Sequence, residues 1–291
     1  MRYEIDRSSL SLASSGEPAT PAVRLAERYG APVDELEPPA WNRTLDILLA
    51  HRSVRRFREG ALPPGTVETL VAAAQSAPTS SNLQTWSVVA VEEPERKARL
   101  SVLAGDQAFI RQAPLFLIWL IDQQKLQSVA RAQAREALAF DYLETFLLGA
   151  VDASLAAQNA TVAAESLGLG ATYVGGIRNR PADVAAEIGL APHIFALVGM
   201  AVGWPDLGAG LEVKPRLPQA AVLFREQYGW GERQAAAVAS YNPRLRAFQG
   251  RQGLPEQDWT TVAVNRTAGP QSMAGRHVLR ETLQALGFPL R

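Results

Sequence analysis

The chain contains no cysteine. That removes disulfides, thiolate metal sites and cysteine nucleophiles at once, and it fits a reducing compartment. Lysine is nearly missing: Lys97, Lys125 and Lys214 are the lysines, and every other cation of this kind is arginine. Genome composition accounts for such a bias, but a lysine kept in so arginine-rich a chain marks a position to test. Histidine is confined to His51, His193 and His277, with no HExxH and no metal-ligand spacing, so no metal is expected. A GxSxG elbow and a Walker loop are also missing. Net charge is +0, which leaves no basic field for nucleic acid and no acidic tail. The amino-terminal MRYEIDRSSLSLASSG has no apolar stretch suited to a secretory signal. The most apolar long run, 140–170, is broken by Asp141, Glu144, Asp152, Gln158, Asn159 and Glu165, which favours a buried core helix over a membrane span. These absences set the expectation of a cytoplasmic chain with neither nucleic acid nor membrane as partner.

What is present is ordinary for a globular protein: 291 residues, 47% hydrophobic and 20% charged, enough to bury a large core. Residues 1–44 read as an extension or arm, rich in Ser, Ala, Gly and Pro, with one helix around Ala22 to Tyr29. A single domain is expected over 45–291. Four short apolar runs predict strands: TWSVVAV, PLFLIWLI, ATYVGG and FALVGMAVG. PLFLIWLI reads as buried on both faces. Helical spacing marks Leu45 to Leu49, a stretch capped by Thr66, Glu95 to Leu103, 138–167 as one or two helices, Pro181 to Ile188, and weaker segments near 233–240 and 277–286. Helices and strands alternate throughout, so the class is α+β or α/β.

Without an acid–base triad, chemistry is expected to come from a bound cofactor. Four polar clusters lie in turns between the apolar elements. In the first, His51-Arg52-Ser53-Val54-Arg55, alternate residues of an extended segment point the same way. His51, Ser53 and Arg55 could converge on a phosphate, whose oxygens suit the planar arginine fork. The second, Thr79-Ser80-Ser81-Asn82-Leu83-Gln84, offers hydroxyls and amides suited to a polyol chain or a ring edge. The third, Tyr173-Val174-Gly175-Gly176, ends a strand where glycines let a flat ligand approach the backbone. The fourth, Lys214-Pro215-Arg216, sets two cations about a stiff proline. Each also reads as a plain solvated turn or polar loop when taken alone.

Taken in order, HRSVRRF, APTSSNLQTW, AGDQAF, AAESLGLGATYVGGIRN, LVGMAVGWPD and KPRLP resemble the nitroreductase superfamily. Within it the likeness is to the oxygen-insensitive NADPH nitroreductase and NADPH–FMN oxidoreductase group. The match runs from about Leu45 to Pro218. The resemblance implies an α+β nitroreductase-like fold, with a mixed central sheet surrounded by helices and FMN at a homodimer interface. It further implies that His51, Arg52, Ser53 and Arg55 hold FMN phosphate and ribityl groups, with Lys214 and Arg216 completing the phosphate clamp. Thr79, Ser81 and Gln107 would contact the ribityl chain or the ring. Tyr173, Val174, Gly175 and Gly176 would lie along the isoalloxazine. Arg266 and Arg276 are candidates for the 2′-phosphate of NADPH.

The expected activity is ping-pong hydride transfer from NADPH through FMN to a small-molecule acceptor: a nitroaromatic, a quinone or free flavin. No side chain is expected to act as an obligatory catalytic base. Two rivals stand beside this reading: a different flavin redox reaction on the same fold, and a flavin store or sensor with little turnover.

Overall fold

The computed structural model describes residues 19–33, 38 and 40–291. In chain order the elements are α1 (Pro21–Tyr29), α2 (Arg43–Ala50), α3 (Thr66–Gln75), β1 (Trp86–Val91), α4 (Pro94–Leu103), α5 (Ala108–Gln112), β2 (Leu115–Asp122), α6 (Gln124–Ala132), α7 (Leu143–Ser166), β3 (Gly170–Val174), α8 (Pro181–Glu187), β4 (Ile194–Gly203), α9 (Glu232–Arg251), α10 (Trp259–Arg266) and α11 (Leu279–Ala285). Internal contacts divide the chain into two units. One joins the residues up to 52 with 207–273, and the other joins 53–206 with 274–291.

The unit of 53–206 and 274–291 is built on a four-stranded sheet in the order β1-β2-β4-β3. All three pairings are antiparallel, where a mixed sheet was expected. The parallel component is one isolated bridge between Ser53 and Ala171. Helices between successive strands invite a parallel reading. Here β2 and β3 run the same way on either side of β4, joined by a crossover through α6 and α7, and β4 fills the gap between them antiparallel to both.

Strand β2 is buried along its whole length, which explains the unbroken apolar run. Its period of two sorts the core into layers. Leu115, Leu117 and Trp119 pack with Leu70 and Ala74 of α3 and with Ala156, Ala157, Ala160 and Ala164 of α7. Phe116, Ile118 and Leu120 face the other way, toward Leu100, Ile110, Ile177 and Val184. Helix α7 reaches the sheet on a face of small residues. A Cβ added at Gly149 would stand 2.6 Å from Ile121 Cγ2, so helix and strand touch there with no room for a side chain.

The opposite side of α7 carries Leu143, Leu147, Val151 and Leu155, one residue per turn, each between 38% and 57% exposed. The helix is thus core on one face and apolar surface on the other. Among the described residues no helix is long and apolar enough to cross a membrane.

The unit of residues up to 52 and 207–273 is helical. Arg24 of α1 pairs with Asp46 of α2 at 2.6 Å. Tyr241, Leu245 and Phe248 of α9 form a small core with Leu217 and Trp259. Helix α9 runs through Pro243, although the sequence predicts a helix only near 233–240. Proline costs an interior hydrogen bond, but the buried face of Tyr241, Leu245 and Phe248 holds the helix on both sides of it. Helices α5, α6 and α10 were not anticipated. Thr66 is the first helical residue of α3 rather than its cap: left-handed Gly65 precedes it, and the Thr66 hydroxyl donates to Pro63 O at 2.6 Å.

The close approach at Gly149 gives a direct test of this packing. Gly149→Ala should lower stability by about 1–3 kcal/mol through overpacking, despite alanine's better helix propensity. Ile121→Leu in the same chain, which removes the Cγ2 methyl that meets the new Cβ, should recover part of the loss. Urea midpoints of the single and double variants check both statements.

Candidate functional site

The polar loop between α3 and β1 stands in an unusual backbone state. Ser81, Asn82 and Gln84 have φ of 49°, 55° and 52°, a region that side chains with a Cβ enter only at a cost. The loop is held from below by Asp152 of α7, which is 1% exposed. Its carboxylate accepts from Thr79 Oγ1 at 2.6 Å, Ser80 N at 3.1 Å, Thr85 N at 3.1 Å and Thr85 Oγ1 at 2.9 Å. The Thr79 oxygen in turn accepts from Gln84 N at 2.9 Å. Burial alone would push the Asp152 pKa up, but the bonds from Thr79, Ser80 and Thr85 outweigh it and hold the group below the usual carboxylate value. Thr79 therefore spends its hydroxyl on the scaffold, while Ser81, Asn82 and Gln84 stand on the exposed side.

The glycine turn after β3 lies against the loop that follows α4. A Cβ at Gly176 would overlap the Ala104 carbonyl oxygen and stand 2.6 Å from Gln107 Nε2. Gln107 itself donates to Ala104 O at 2.8 Å. The structure thus brings Gln107 and Gly176 together. At Gly175 the two nearest groups to an added Cβ are guanidinium nitrogens, Arg178 at 3.5 Å and Arg276 at 3.7 Å. Arg178 donates to Leu197 O. Burial, and then the positive charge of Arg276, lower its pKa. Val174 turns its side chain into the core, so only its backbone is available to a ligand. The Tyr173 hydroxyl accepts from Thr161 at 2.9 Å; desolvation pushes its pKa up to about 12. The side-chain oxygen of Asn179 is buried in this turn with no partner among the described residues.

Ser53 and Arg55 flank Val54, which is buried against Gly170 while its neighbours are exposed. That alternation is the one expected of an extended segment. Val54 N donates to Ala171 O at 3.0 Å, which fastens the segment beside β3.

In the other unit, His51 and Arg52 follow α2, and Lys214-Pro215-Arg216 lies next to them. One guanidinium joins the two stretches: Arg28 of α1 donates to His51 O at 2.7 Å, Leu49 O at 2.7 Å and Lys214 O at 3.0 Å. Arg216 N donates back to Arg28 O at 2.9 Å. The Tyr241 hydroxyl holds Pro215 O at 2.6 Å, and Lys214 Nζ lies 5.9 Å from the Phe248 ring centroid. Arg266 belongs to this unit and donates to Ser272 O, while Arg276 belongs to the sheet unit beside Gly175.

Sequence reasoning missed Asp152, Arg178 and Arg28. Asp152 reads as an interruption of an apolar run. Arg178 stands inside the quoted GLGATYVGGIRN, three residues past Gly175, where the two glycines drew the attention. Nothing in the spacing marks Arg28. Among the described residues no group of three His, Asp or Glu could hold a metal ion. The arrangement is a cation- and amide-rich surface around a glycine turn, suited to an anionic ligand with a flat ring.

The family model described as Nitroreductase family matches residues 48–204, and Nitroreductase family, C-terminal domain matches 214–291. The second match carries the likeness past Pro218, where the motifs read from sequence stop. The chain is 35% identical over 230 residues to the NADPH-flavin oxidoreductase of Vibrio harveyi, covering 78% of this chain and 92% of that one. It is 37% identical over 186 residues to the oxygen-insensitive NADPH nitroreductase of Salmonella typhimurium, covering 64% and 74%. Among solved structures, the hypothetical oxidoreductase YcnD from Bacillus subtilis superposes with a TM-score of 0.81 at 30% identity, over 86% of this chain and all of the other.

Asp152 supplies the test of the loop. Its pKa is lower folded than unfolded, so its stabilisation is complete above the unfolded value, about 3.9, and is lost as pH falls through the folded value. Asp152→Asn should cost about 2–3 kcal/mol at neutral pH, since its amide NH2 cannot accept the bonds that the second oxygen holds. It should also flatten the acid limb of the stability profile. Urea unfolding of both proteins from pH 3 to 7 reads the two effects together.

Proposed function

The chain belongs to the nitroreductase family, and on that premise we propose that it is an FMN-dependent oxidoreductase that takes hydride from NADPH and passes it to a small acceptor. The observation that carries this reading is the Gly175 turn, which has Arg178 and Arg276 within 3.7 Å of the place a side chain would occupy. A flat ring laid on that backbone meets no Cβ and finds two positive charges at hand. FMN, when bound, supplies the two-electron chemistry that the side chains lack. The residues present fit it: exposed Ser81, Asn82 and Gln84 offer donors and acceptors, Gln107 lies against Gly176, and cations stand on the HRSVR and KPR segments.

The chain's own contribution is placement and charge. Arg178 and Arg276 would hold a flat ring at the Gly175 turn and would favour negative charge on it. Asp152 fixes the loop that orients ligand polar groups, without touching them. Ser53 and Arg55, together with His51, Arg52, Lys214 and Arg216, are assigned to the phosphate end. Arg266 is assigned to the NADPH 2′-phosphate. Nitroaromatics, quinones and free flavin are the acceptor classes proposed, because the two-electron chemistry that FMN would supply suits flat oxidants of matching potential. The names of the Vibrio harveyi and Salmonella typhimurium relatives support flavin and nitro reduction in turn.

A homodimer is proposed from the stripe of Leu143, Leu147, Val151 and Leu155, whose spacing on α7 forms a continuous apolar ridge. Sedimentation should give twice the 31.4 kDa chain mass. Val151→Asp should shift the protein toward monomer, and a flavin-loaded wild-type monomer would contradict the assignment.

The protein should purify yellow and release FMN, not FAD, on acid treatment. NADPH should bleach the colour, and a nitrofuran or menadione should restore it. Arg266→Ala should raise the KM for NADPH while leaving NADH nearly unchanged, since NADH lacks the 2′-phosphate. A colourless protein that cannot be reconstituted with FMN overturns the reading.

A further inference from the structure

We propose that Arg28 of the N-terminal helix is a positioning residue for phosphate binding, setting the distance between the His51-Arg52 and Lys214-Arg216 segments; the inference rests on the FMN reading above. Helix α1 ends at Tyr29, before the family match begins at residue 48, so the family model assigns it nothing. Its last turn nevertheless reaches both proposed phosphate arms.

The geometry is specific. Arg28 is 7% exposed, and its guanidinium donates to three carbonyls from two segments remote in sequence: Leu49 and His51 at 2.7 Å each, and Lys214 at 3.0 Å. One nitrogen, Nη2, serves Leu49 and His51, while Nη1 serves Lys214. Spanning both segments therefore needs the planar fork, which fixes the separation of its two ends; an ammonium has no such fork. The backbone of Arg28 adds a bond in the other direction, accepting from Arg216 N at 2.9 Å. The peptide running from Lys214 to Arg216 is thus gripped at both ends by one residue.

Neighbouring contacts make the grip stiff. Gly30 follows α1 at φ 67°, and a Cβ there would stand 3.1 Å from Pro215 Cβ. The Tyr241 hydroxyl holds Pro215 O at 2.6 Å, Arg244 donates to Tyr29 O at 3.1 Å, and Arg24 ties α1 to Asp46 of α2 at 2.6 Å. A phosphate is recognised by cations at set distances, and a shift of an ångström or so forfeits most of the gain. Removing Arg28 leaves the charge of His51, Arg52, Lys214 and Arg216 in place but frees their spacing. The part of flavin affinity owed to the phosphate should fall, and the part owed to the ring should stay.

Riboflavin, which lacks the phosphate, separates the two. Flavin-free wild type, Arg28→Ala and Arg28→Lys are titrated with FMN and with riboflavin, following flavin fluorescence, and thermal midpoints are taken without flavin. Wild type should prefer FMN over riboflavin by at least about tenfold, the scale of one charged hydrogen bond. Arg28→Ala should weaken FMN about tenfold or more while riboflavin stays within about twofold of wild type. Arg28→Lys should share the deficit, because one ammonium lacks the fork that spans both segments, and it serves as the test variant if the alanine form does not fold. An unchanged FMN-to-riboflavin ratio in a variant, or equal loss of both flavins, overturns the role of Arg28 and leaves the FMN reading standing. A wild type that binds neither flavin overturns the functional reading and this inference with it.

Discussion

The carboxylate of Asp152 is the constraint on which the polar loop before β1 depends. Three residues with a Cβ stand in the left-handed region within four positions of one another, each at a cost of roughly 1–2 kcal/mol. They persist because a buried acceptor satisfies Thr79, Ser80 and Thr85 together, and bonds to a charged group contribute about 1.5–3 kcal/mol each. Asp152 can sit there only because α7 lies close to the sheet. That closeness in turn requires Gly149 and the alanines along the buried face. Small residues in the middle of a helix and an odd backbone in a distant loop are therefore one arrangement.

The glycine turn shows a second economy. Gly176 is demanded by the protein's own packing against Ala104 and Gln107, whereas Gly175 leaves its space facing two guanidiniums. Two like charges held near each other repel, and burial adds to the strain on Arg178. A negative charge placed over Gly175 would be favoured by both guanidiniums, so at the proposed site a charged form would be stabilised more than a neutral one. This is the electrostatic behaviour a site needs if it is to favour a reduced, electron-rich ring without a catalytic base.

Much of the fold was legible because its signals are local. The four strands are apolar, β-branched runs bounded by turns, and their positions follow from that alone. The course of β2 through the core could be read from seven apolar residues in succession, Leu115 to Ile121. Strand direction could not, since a helix between two strands is compatible with either pairing. Asp152 was visible only as a break in an apolar stretch, because its meaning lies in Thr79 and Thr85, some 70 residues away. Pro243 concealed half of α9, since propensity argues for a stop there and only the tertiary contacts of Leu245 and Phe248 overrule it. Arg266 and Arg276 looked equivalent in sequence, yet one is fastened to Ser272 and the other stands beside Gly175.

Helix α7 joins the Asp152-held loop to an exposed apolar ridge. Asp152 follows Val151 directly, so the residue that anchors the loop and one that forms the apolar ridge share a single turn. Any partner that covers Leu143, Leu147, Val151 and Leu155 restrains the same turn from the other side. The helix has little to spare: its buried face is largely alanine and glycine, which contribute close contact but little apolar area per residue. A partner copy covering the ridge, as proposed, would add the apolar area that the buried face lacks. In the proposed dimer, association and loop geometry would be coupled through one rigid element whose position both of them bias, with no relay of side chains across the core.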